Sequence, residues 1–338
     1  MRKENPCFCF LVLCAGLACC QAGKMGIEQD GTRDPGFEEA ADTISGDMAD
    51  SSTDVDADDG APVEDVGGTD DNEEADAQGD ASEVTADIED DGPPPCTTDC
   101  VPVVWVPAAT FLMGAVNIPG ESRPQHEVTL TRGFWMDKYE VSVANYRTCE
   151  EAGACPPPLY GYGRDERPVK GVTREMAGSY CAWAGKRLPT EAEWEHAACG
   201  DGIQCYPWGG EKIDWDCTQH PDCSMAAFCP ESGCAGDGPC YGNPQDVTAF
   251  EAGNVSPFGV VNMGGNVWEW VQDAWTPNFE WCLSDCVDPL APGGSENHVF
   301  KGGAWISEEV FLRCAARYHD GEGGFDPFEV GLRCVQSP

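Results

Sequence analysis

Cysteine is the residue type whose number and spacing in this chain point most clearly to chemistry. Of the 21 cysteines, five lie at or before Cys20 and the other sixteen lie between Cys96 and Cys334. The closely spaced pairs are Cys149/Cys155, Cys217/Cys223, Cys229/Cys234 and Cys282/Cys286. None of these pairs has the two-residue spacing of a zinc site or a neighbouring pair of histidines. An even, dense set of cysteines is instead typical of a disulfide framework in an exported chain.

Other common catalytic groups show no comparable pattern. The chain has no serine nucleophile elbow, phosphate-binding loop or glycine-rich dinucleotide motif. Glycine clusters at 200–202 and 321–324 are more typical of turns. The histidines are scattered and form no helical metal-binding pair, so each is expected on the surface or in the core. They are His126, His196, His220, His298 and His319.

The N-terminus has the pattern of an export signal. Arg2 and Lys3 precede an apolar stretch, 8–20, that is too short to cross a bilayer. Residues 17–20 resemble a bacterial lipobox, which predicts a lipoprotein signal peptide over 1–19 and acylation of Cys20. Cys19 departs from the usual small residue before the cut, so a plain cleaved signal peptide is the alternative. Residues 16–19 offer a second lipobox frame.

Residues 20–95 are predicted to form a disordered acidic tether. From 21 to 95 the chain has 25 acidic residues against Lys24 and Arg33, a net charge of −23 for this segment. Such a segment buries too little apolar surface to offset its ordering entropy, and its charges repel one another. The run 54–60 approaches a calcium-loop pattern but lacks the closing glutamate. The acidity also argues against nucleic-acid binding.

Composition changes after the tether, and 96–338 is predicted to be one domain. This part carries all eleven tryptophans and most of the glycine. The patterns predict helices over 174–184 and 190–199, with Thr190 and Glu193 forming a capping box in the second. Alternating runs predict strands over 127–131 and 133–137. The expected fold class is α+β, with little regular secondary structure and many disulfides.

Several tryptophan- and glycine-rich segments of this domain, taken in order, resemble one known family. They are 181–195, with its Arg187-Leu188-Pro189-Thr190-Glu191 run, then 262–270, 301–305, 313–317 and 331–334. Earlier matches include Phe111, Gly114, Arg123, Pro124, His126, Phe134, Asp137, Glu140 and Tyr146. The order and spacing resemble the formylglycine-generating enzyme, or sulfatase-modifying factor, family over about 105–336. This resemblance implies an asymmetric fold related to C-type lectin-like domains.

The resemblance implies a structural calcium site in the 262–269 loop. Hard oxygen ligands from a tight, glycine-rich loop suit calcium. A structural turn with its tryptophans in the core is a compatible interpretation. The family's second calcium site is not expected, because Ala227 stands where an asparagine is needed. The implied donors are the Asn262 side chain, the carbonyl oxygens of Met263, Gly265 and Val267, and the Glu269 carboxylate.

The resemblance also implies two disulfides, Cys181–Cys334 and Cys199–Cys314. The second is less well placed, because Cys199 lies about one position late in the alignment. Both bridges are expected to be structural, and bridges of this kind stabilise a fold by about 2–4 kcal/mol each.

The family's catalytic cysteines are missing from the expected place. Active members carry two copper(I)-binding cysteines between the Gly-Gly-Ala-Trp and Arg-Cys-Ala-Ala-Arg motifs. Here these positions fall within Ile306, Ser307, Val310 and Phe311. Serine does not hold copper(I), and Glu308 and Glu309 prefer harder ions. Copper-dependent formylglycine formation is therefore not expected.

Two functions from different classes remain. In the first, the domain is a membrane-tethered binding module for an exported peptide, protein or small ligand, on the periplasmic side or cell surface. Its cleft candidates are Trp268, Trp305, Ser307, Arg313 and Arg317, where tryptophan and arginine are typical anchors. The alternatives are core packing for the tryptophans and ion pairing for the arginines. In the second, the domain is a family enzyme modifying exported proteins, with Cys282 and Cys286 as free thiols.

Overall fold

The computed structural model describes residues 98–115, 124–213, 216–217, 220–230, 240, 242–321 and 327–338. All of them belong to one unit, 83–338. The signal peptide predicted over 1–19, the lipidation at Cys20 and the tether over 20–95 lie outside the described residues. Within the described part, no helix has both the length and the apolar character needed to cross a bilayer.

Short strands and three short helices make up the regular structure of the described residues. The helices are α1 (Val143–Glu151), α2 (Arg174–Trp183) and α3 (Glu191–Cys199). The strands are β1 (Val103–Val106), β2 (Ala109–Met113), β3 (His126–Leu130), β4 (Phe134–Asp137), β5 (Gln204–Tyr206), β6 (Gly209–Ile213), β7 (Asp216–Cys217), β8 (Trp268–Ala274), β9 (His298–Lys301), β10 (Arg317–His319), β11 (Val330–Gly331) and β12 (Val335–Gln336). The rest is loops and 3₁₀ turns, as expected for an α+β domain with little regular structure.

The described strands form four small sheets. Their strand orders are β1-β4-β12, β10-β9-β8-β11, β2-β3 and β5-β6-β7. Neighbouring strands are antiparallel, except that β11 runs parallel to β8. Strands near the C-terminus thus pair with strands from the middle and the start of the domain. The four-stranded sheet joins the 262–269 loop, the 302–313 segment and the C-terminal motif.

Helix capping explains where α2 and α3 begin. The Thr190 hydroxyl accepts from the Glu193 backbone N–H at 3.1 Å, and the Glu193 carboxylate accepts from the Thr190 N–H at 2.8 Å. This is the predicted capping box. Thr173 caps α2 in the same way through the Met176 N–H. The predicted helices are confirmed to within a residue, and the predicted strands agree with β3 and β4.

Helix α1 was not predicted. Its polar surface gives no long apolar run, and it buries only Val143, Tyr146 and Cys149. Ser142 precedes it, and the Ser142 hydroxyl accepts from the Asn145 N–H at 3.1 Å. A serine N-cap followed by apolar residues three positions apart was the sequence signal that could have predicted this helix.

Disulfides tie distant segments of the domain together. All fourteen described cysteines are disulfide-bonded. Six complete pairs are described: Cys149–Cys155, Cys181–Cys334, Cys199–Cys314, Cys205–Cys217, Cys223–Cys240 and Cys282–Cys286. The second and third are the pairings that the family resemblance implied. Cys282 and Cys286 are bonded to each other, so the structure does not support their role as free thiols.

The core is divided among three clusters. One packs α1 and α2 against Trp268, Trp270 and Trp305. A second packs α3, with Trp194, against β2, β3 and β4. A third, smaller cluster surrounds Tyr206 and Phe228. Trp194 and Trp270 are among the largest fully buried side chains, so tryptophan supplies much of the packed volume.

Candidate functional site

The turn at 304–307 occupies the place where the family resemblance implies the first copper-binding cysteine. The Ser307 N–H donates to the Ala304 carbonyl at 2.9 Å, and the Ser307 hydroxyl accepts from the Ala304 N–H at 2.9 Å. The Ser307 carbonyl accepts from the Cys229 N–H at 2.8 Å. Ser307 is buried, and its hydroxyl is used to close the turn. Its observed role is therefore structural.

Apolar side chains stand at Val310 and Phe311, where the second copper-binding cysteine would be expected. Residues Glu309–Leu312 form a 3₁₀ turn. The Phe311 ring lies 5.8 Å from the Trp268 ring and 6.0 Å from the Tyr318 ring, centroid to centroid. Ile306 is exposed. Neither a free thiol nor a histidine stands in the described 304–313 segment, so it has no ligand for copper(I).

The five cleft candidates do not form an open cleft. All of them are more than nine-tenths buried. Trp268 packs within 5.2 Å of Phe300 and 6.0 Å of Tyr318 between ring centroids, which is core packing rather than a lining surface. Arg313 is also buried and contacts Tyr206.

Arg317 is held by a structural ion pair. Its guanidinium donates to the Glu191 carboxylate at 2.8 Å and to the Thr276 carbonyl at 2.9 Å. The same group lies 4.4 Å from the Trp275 ring centroid and 4.5 Å from the Phe279 ring centroid. The geometry therefore does not place Trp268 or Arg317 on the lining of a cleft. It agrees with the alternatives, which are core packing for Trp268 and ion pairing for Arg317.

An exposed apolar surface lies beside the buried Trp305. We call it the aromatic face and define it by Tyr160, Lys170, Trp305 and Phe328, together with the exposed Ile306, which follows Trp305 in the chain. The Phe328 ring is 5.1 Å from the Tyr160 ring and 5.8 Å from the Trp305 ring. The Lys170 ammonium lies 3.5 Å from the Phe328 ring centroid and 5.5 Å from the Trp305 centroid. Tyr160, Ile306 and Phe328 are 47%, 43% and 39% exposed.

The sequence analysis named Trp305 as a cleft candidate and Ile306 as a position in the catalytic segment, but it missed Tyr160, Lys170 and Phe328. Tyr160 lies in a loop rich in proline and glycine, and Phe328 lies 23 positions after Trp305 in the sequence. The available signal was the presence of large apolar side chains in loops that show no strand or helix pattern. Exposed apolar side chains that cluster on one surface are typical of interaction sites.

The 262–267 loop requires an unusual backbone. Asn262, Gly265 and Asn266 have φ values of 62°, 91° and 69°. The Gly265 N–H donates to the Gly302 carbonyl at 2.6 Å. A Cβ at Gly265 would lie 2.4 Å from the Ala227 carbonyl oxygen, so only glycine fits there.

Two asparagines of this loop converge on Glu140. The Asn266 amide donates to the Glu140 carboxyl at 2.7 Å, and the Asn262 amide donates to it at 3.1 Å. Burial raises the pKa of the Glu140 carboxyl to about 8, although Arg333 and the two amides oppose that shift. Glu140 therefore anchors the loop from a segment more than 120 residues away.

Glu269 is committed to a different partner. The Arg333 guanidinium donates to both of its carboxylate oxygens, at 2.6 and 2.7 Å, and the Trp194 indole N–H donates at 2.7 Å. Both side chains of this ion pair are fully buried. The charge on Glu269 is thus balanced without a metal ion.

The predicted calcium donors fit calcium only in part. The Glu269 carboxylate does not fit, because Arg333 would lie directly beside the ion. The Asn262 amide oxygen does fit, because it is buried and accepts no hydrogen bond. The amide oxygen of the neighbouring Asn254 is likewise buried and accepts no hydrogen bond. Calcium at Asn262 and the Met263, Gly265 and Val267 carbonyls stays a prediction. Comparing the thermal unfolding temperature with and without a chelator checks whether calcium binds there.

A pocket lies at another place on the domain, away from the predicted site residues. It has a volume of about 730 Å³, and its lining includes Trp105, Leu130, Arg132, Leu290 and Pro338. None of the predicted cleft residues or calcium donors lines it. The pocket therefore gives no support to those predictions.

Most of this domain matches one known family. Residues 90–338 match the family described as the sulfatase-modifying factor enzyme 1-like domain. The formylglycine-generating enzyme of Mus musculus is 30% identical over 289 residues, covering 69% of this chain and 74% of that protein. The chain therefore belongs to the formylglycine-generating enzyme, or sulfatase-modifying factor, family.

Two further similar proteins agree with this family but indicate no function for the chain. A Chlamydia caviae protein named serine/threonine-protein kinase pkn1 is 28% identical over 256 residues, covering 69% of this chain but only 38% of that protein. The structure of PvdO from Pseudomonas aeruginosa aligns with a TM-score of 0.58 at 21% identity, over 73% of this chain and all of that one. At that identity the likeness shows the fold alone.

Proposed function

We propose that this protein is a binding member of its family, not a copper-dependent formylglycine oxidase, and that it binds an extended segment of an exported peptide or protein. The observation that carries the proposal is the 304–313 segment. Its Ser307 hydroxyl is used in a turn, its Phe311 packs on Trp268, and it contains no free thiol. Serine and phenylalanine side chains do not bind copper(I).

The oxidase alternative required Cys282 and Cys286 as a reduced pair. These residues are joined in a disulfide, with their Cα atoms 5.1 Å apart. Every other described cysteine is also oxidised. This supports the binding alternative, because the oxidase chemistry requires two thiolates on one copper ion.

The aromatic face supplies the recognition chemistry. Tyr160, Ile306 and Phe328 expose apolar area, and Lys170 adds a cation among them. Rigid aromatic side chains near a charged group are typical anchors of protein interfaces. An extended peptide suits this surface because it can place successive side chains on neighbouring rings.

We further propose that a lipid on Cys20 and the acidic tether hold this domain at a membrane, where exported ligands pass. Fatty-acid labelling in a bacterial host checks the anchor. Label is expected on the wild-type chain and is expected to be lost in a Cys20→Ala variant. Retention of label in Cys20→Ala, with loss in Cys19→Ala, would favour the second lipobox frame.

The binding proposal is tested with a displayed library of unstructured peptides selected on the full chain. Affinities of the enriched peptides are then measured against wild type, Ile306→Ser and Phe328→Ser. Each substitution is expected to weaken binding about tenfold or more, as for an interface anchor. Ile203→Ser is the matched control, because Ile203 is 59% exposed and lies outside the aromatic face.

Two results would contradict the proposal. One is failure to enrich peptides beyond an unrelated disulfide-rich protein. The other is equal binding by the face variants and wild type, which would remove the aromatic face from the account. Incubation of the wild-type chain with copper(I), oxygen and a cysteine-bearing peptide is expected to leave the peptide mass unchanged.

A further inference from the structure

A cluster of soft ligand atoms lies outside the site described above. Donor atoms of His126, Cys282 and Cys286 lie within 4.8 Å of one another. In the described part of the chain, this is the one group of three histidine, cysteine or acidic side chains that meets in this way. The two cysteines are bonded as a disulfide, and their sulfurs are therefore unavailable as ligands in this state.

Backbone hydrogen bonds hold these donors together independently of the sulfur–sulfur bond. His126 opens β3, and the Thr129 N–H of that strand donates to the Cys286 carbonyl at 2.9 Å. The Asp288 N–H donates in turn to the Thr129 carbonyl at 2.8 Å. Cys286 therefore stays beside β3 if the disulfide opens.

Cys282 is fixed from the other side through Phe279. The Cys282 N–H donates to the Phe279 carbonyl at 2.9 Å. The Phe279 ring is buried and lies 5.0 Å from the His126 ring, centroid to centroid. All three donors thus sit on backbone that is already ordered, which lowers the entropy that binding would cost.

One ring nitrogen of the His126 side chain has a backbone partner. Its Nδ1 lies 3.0 Å from the Pro124 carbonyl oxygen, so Nδ1 carries the proton and donates it. Nε2 then holds the free lone pair. A ligating histidine commonly donates its second ring N–H to a backbone carbonyl in this way.

A small cavity beside these residues has room for one atom-sized guest. Its volume is about 10 Å³, and His126, Cys286, Glu191 and Asp273 are among its lining residues. The Glu191 carboxylate is already paired with Arg317 at 2.8 Å and lies 3.7 Å from Lys301. Glu191 is therefore committed to these cations, and the cavity offers space for a water molecule beside His126 and Cys286.

The disulfide is placed where a reductant can reach it. Cys282 is only partly buried and is flanked by Trp281 and Leu283, which are both exposed. The loop that it closes spans a sequence separation of 4. A loop this short gains little from restricting the unfolded chain, and accessible disulfides tend to be the reducible ones.

We propose that the Cys282–Cys286 disulfide covers a latent zinc(II) site formed by Cys282, Cys286 and His126, with a water molecule as the fourth ligand. A dithiol thiolate attacks the Cys282 sulfur and releases the Cys286 thiolate. The second thiol of the dithiol then displaces Cys282. Two electrons pass to the protein, and the dithiol leaves as its own disulfide.

Zinc from solution then binds as the two cysteine thiols lose their protons. Two thiolates balance the charge of one zinc(II) ion, which suits a buried site better than a singly charged ion would. The site is distinct from the 304–313 segment, since it uses none of its residues. It can therefore exist whether or not the domain binds peptides.

The test uses the full chain under native conditions. A dithiol is added in steps, tryptophan fluorescence reports folding, and free thiols are alkylated and mapped by mass spectrometry. Cys282 and Cys286 are expected to be labelled while the fold is intact. Zinc affinity is then measured by competition with a coloured chelator, and cobalt(II) is used to detect sulfur-to-metal charge-transfer absorption.

The reduced wild-type chain is expected to bind one zinc ion, and the oxidised chain none. Cys282→Ser and His126→Gln are each expected to weaken binding at least about tenfold. Cys149→Ser is the control, because the Cys149–Cys155 bridge also closes a short loop but is not grouped with a histidine. It is expected to keep zinc binding after reduction.

Three outcomes would overturn the proposal. They are unfolding before Cys282 and Cys286 are labelled, equal zinc binding by oxidised and reduced chains, and equal binding by wild type and His126→Gln. The last would assign the ion to thiols other than those beside His126. None of these results bears on peptide binding at the aromatic face.

Discussion

Several buried polar residues in this domain have partners that lie far away in the sequence. Glu269 and Arg333 are 64 residues apart in sequence, and Glu140 and Asn266 are 126 apart. The family resemblance predicted that Asn262 and Glu269 matter, but it did not predict these partners. Such pairings depend on how the sheets bring remote segments together, which local patterns do not encode.

Loss of Arg333 is expected to be strongly destabilising. Arg333→Met leaves the Glu269 carboxylate buried without its cation, which typically costs about 3–5 kcal/mol. Urea unfolding of the two chains measures the difference. Arg164→Met is the control, because Arg164 forms only exposed ion pairs worth about 0–1 kcal/mol. A loss below about 1 kcal/mol in Arg333→Met would contradict the description of this pair.

Glu140 is expected to make stability depend on pH. Its ordinary pKa is 4.5, and burial raises the pKa to about 8 in the folded chain. Between these values the folded chain keeps a proton that the unfolded chain has released, so the free energy of unfolding falls as pH rises through this window.

Glu140→Gln removes this contribution and is expected to flatten the profile between pH 4.5 and about 8. Urea unfolding with a chelator present measures it, so that no bound metal ion contributes. Glu127→Gln is the control, because Glu127 is exposed on β3. A wild-type slope that persists unchanged in Glu140→Gln would contradict the assignment.

Among the secondary-structure elements, short sequence patterns predicted the features that depend only on neighbouring residues. Thr190 and Glu193 are three residues apart, and their capping box appears in the structure. The strands β8 to β12 were not predicted, because β9 to β12 have only two to four residues each and β8 is buried along most of its length, so that none shows a clear alternation. Helix α1 was missed because tertiary packing, not an apolar stripe, stabilises it.

The cap of α3 is expected to contribute measurably. Thr190→Ala removes the hydroxyl that accepts from the Glu193 N–H, and such a loss costs about 0.5–2 kcal/mol. Thermal and urea unfolding measure the change. Thr190→Ser keeps the acceptor and is expected to restore most of the stability. Equal losses in the two variants would assign the effect to packing of the threonine methyl group.

The whole domain depends on disulfides that close very different lengths of chain. Cys181–Cys334 joins residues 153 apart, whereas Cys149–Cys155 joins residues 6 apart. The family resemblance supplied the first pairing. Composition alone supplied only the expectation of a framework, since sixteen cysteines allow very many connectivities.

Removing the long bridge is expected to cost more than removing the short one. Cys181→Ser with Cys334→Ser releases a large loop in the unfolded chain, at a cost of about 4–5 kcal/mol. The matched Cys149→Ser with Cys155→Ser pair is expected to cost roughly half as much. Urea unfolding of both double variants compares them. The opposite order would show that native packing around the bridge, not loop length, sets its contribution.

Whether the protein has copper oxidase chemistry is tested most directly by a combined thiol count and copper(I) titration on the full chain, purified without reductant. We expect the fourteen described cysteines to be unreactive toward alkylating agents and copper(I) to show no tight, stoichiometric binding. A peptide cysteine should then remain unoxidised in the presence of copper and oxygen. Two free thiols that bind one copper(I) ion, with conversion of the peptide cysteine to an aldehyde, would contradict the account and identify the chain as an oxidase.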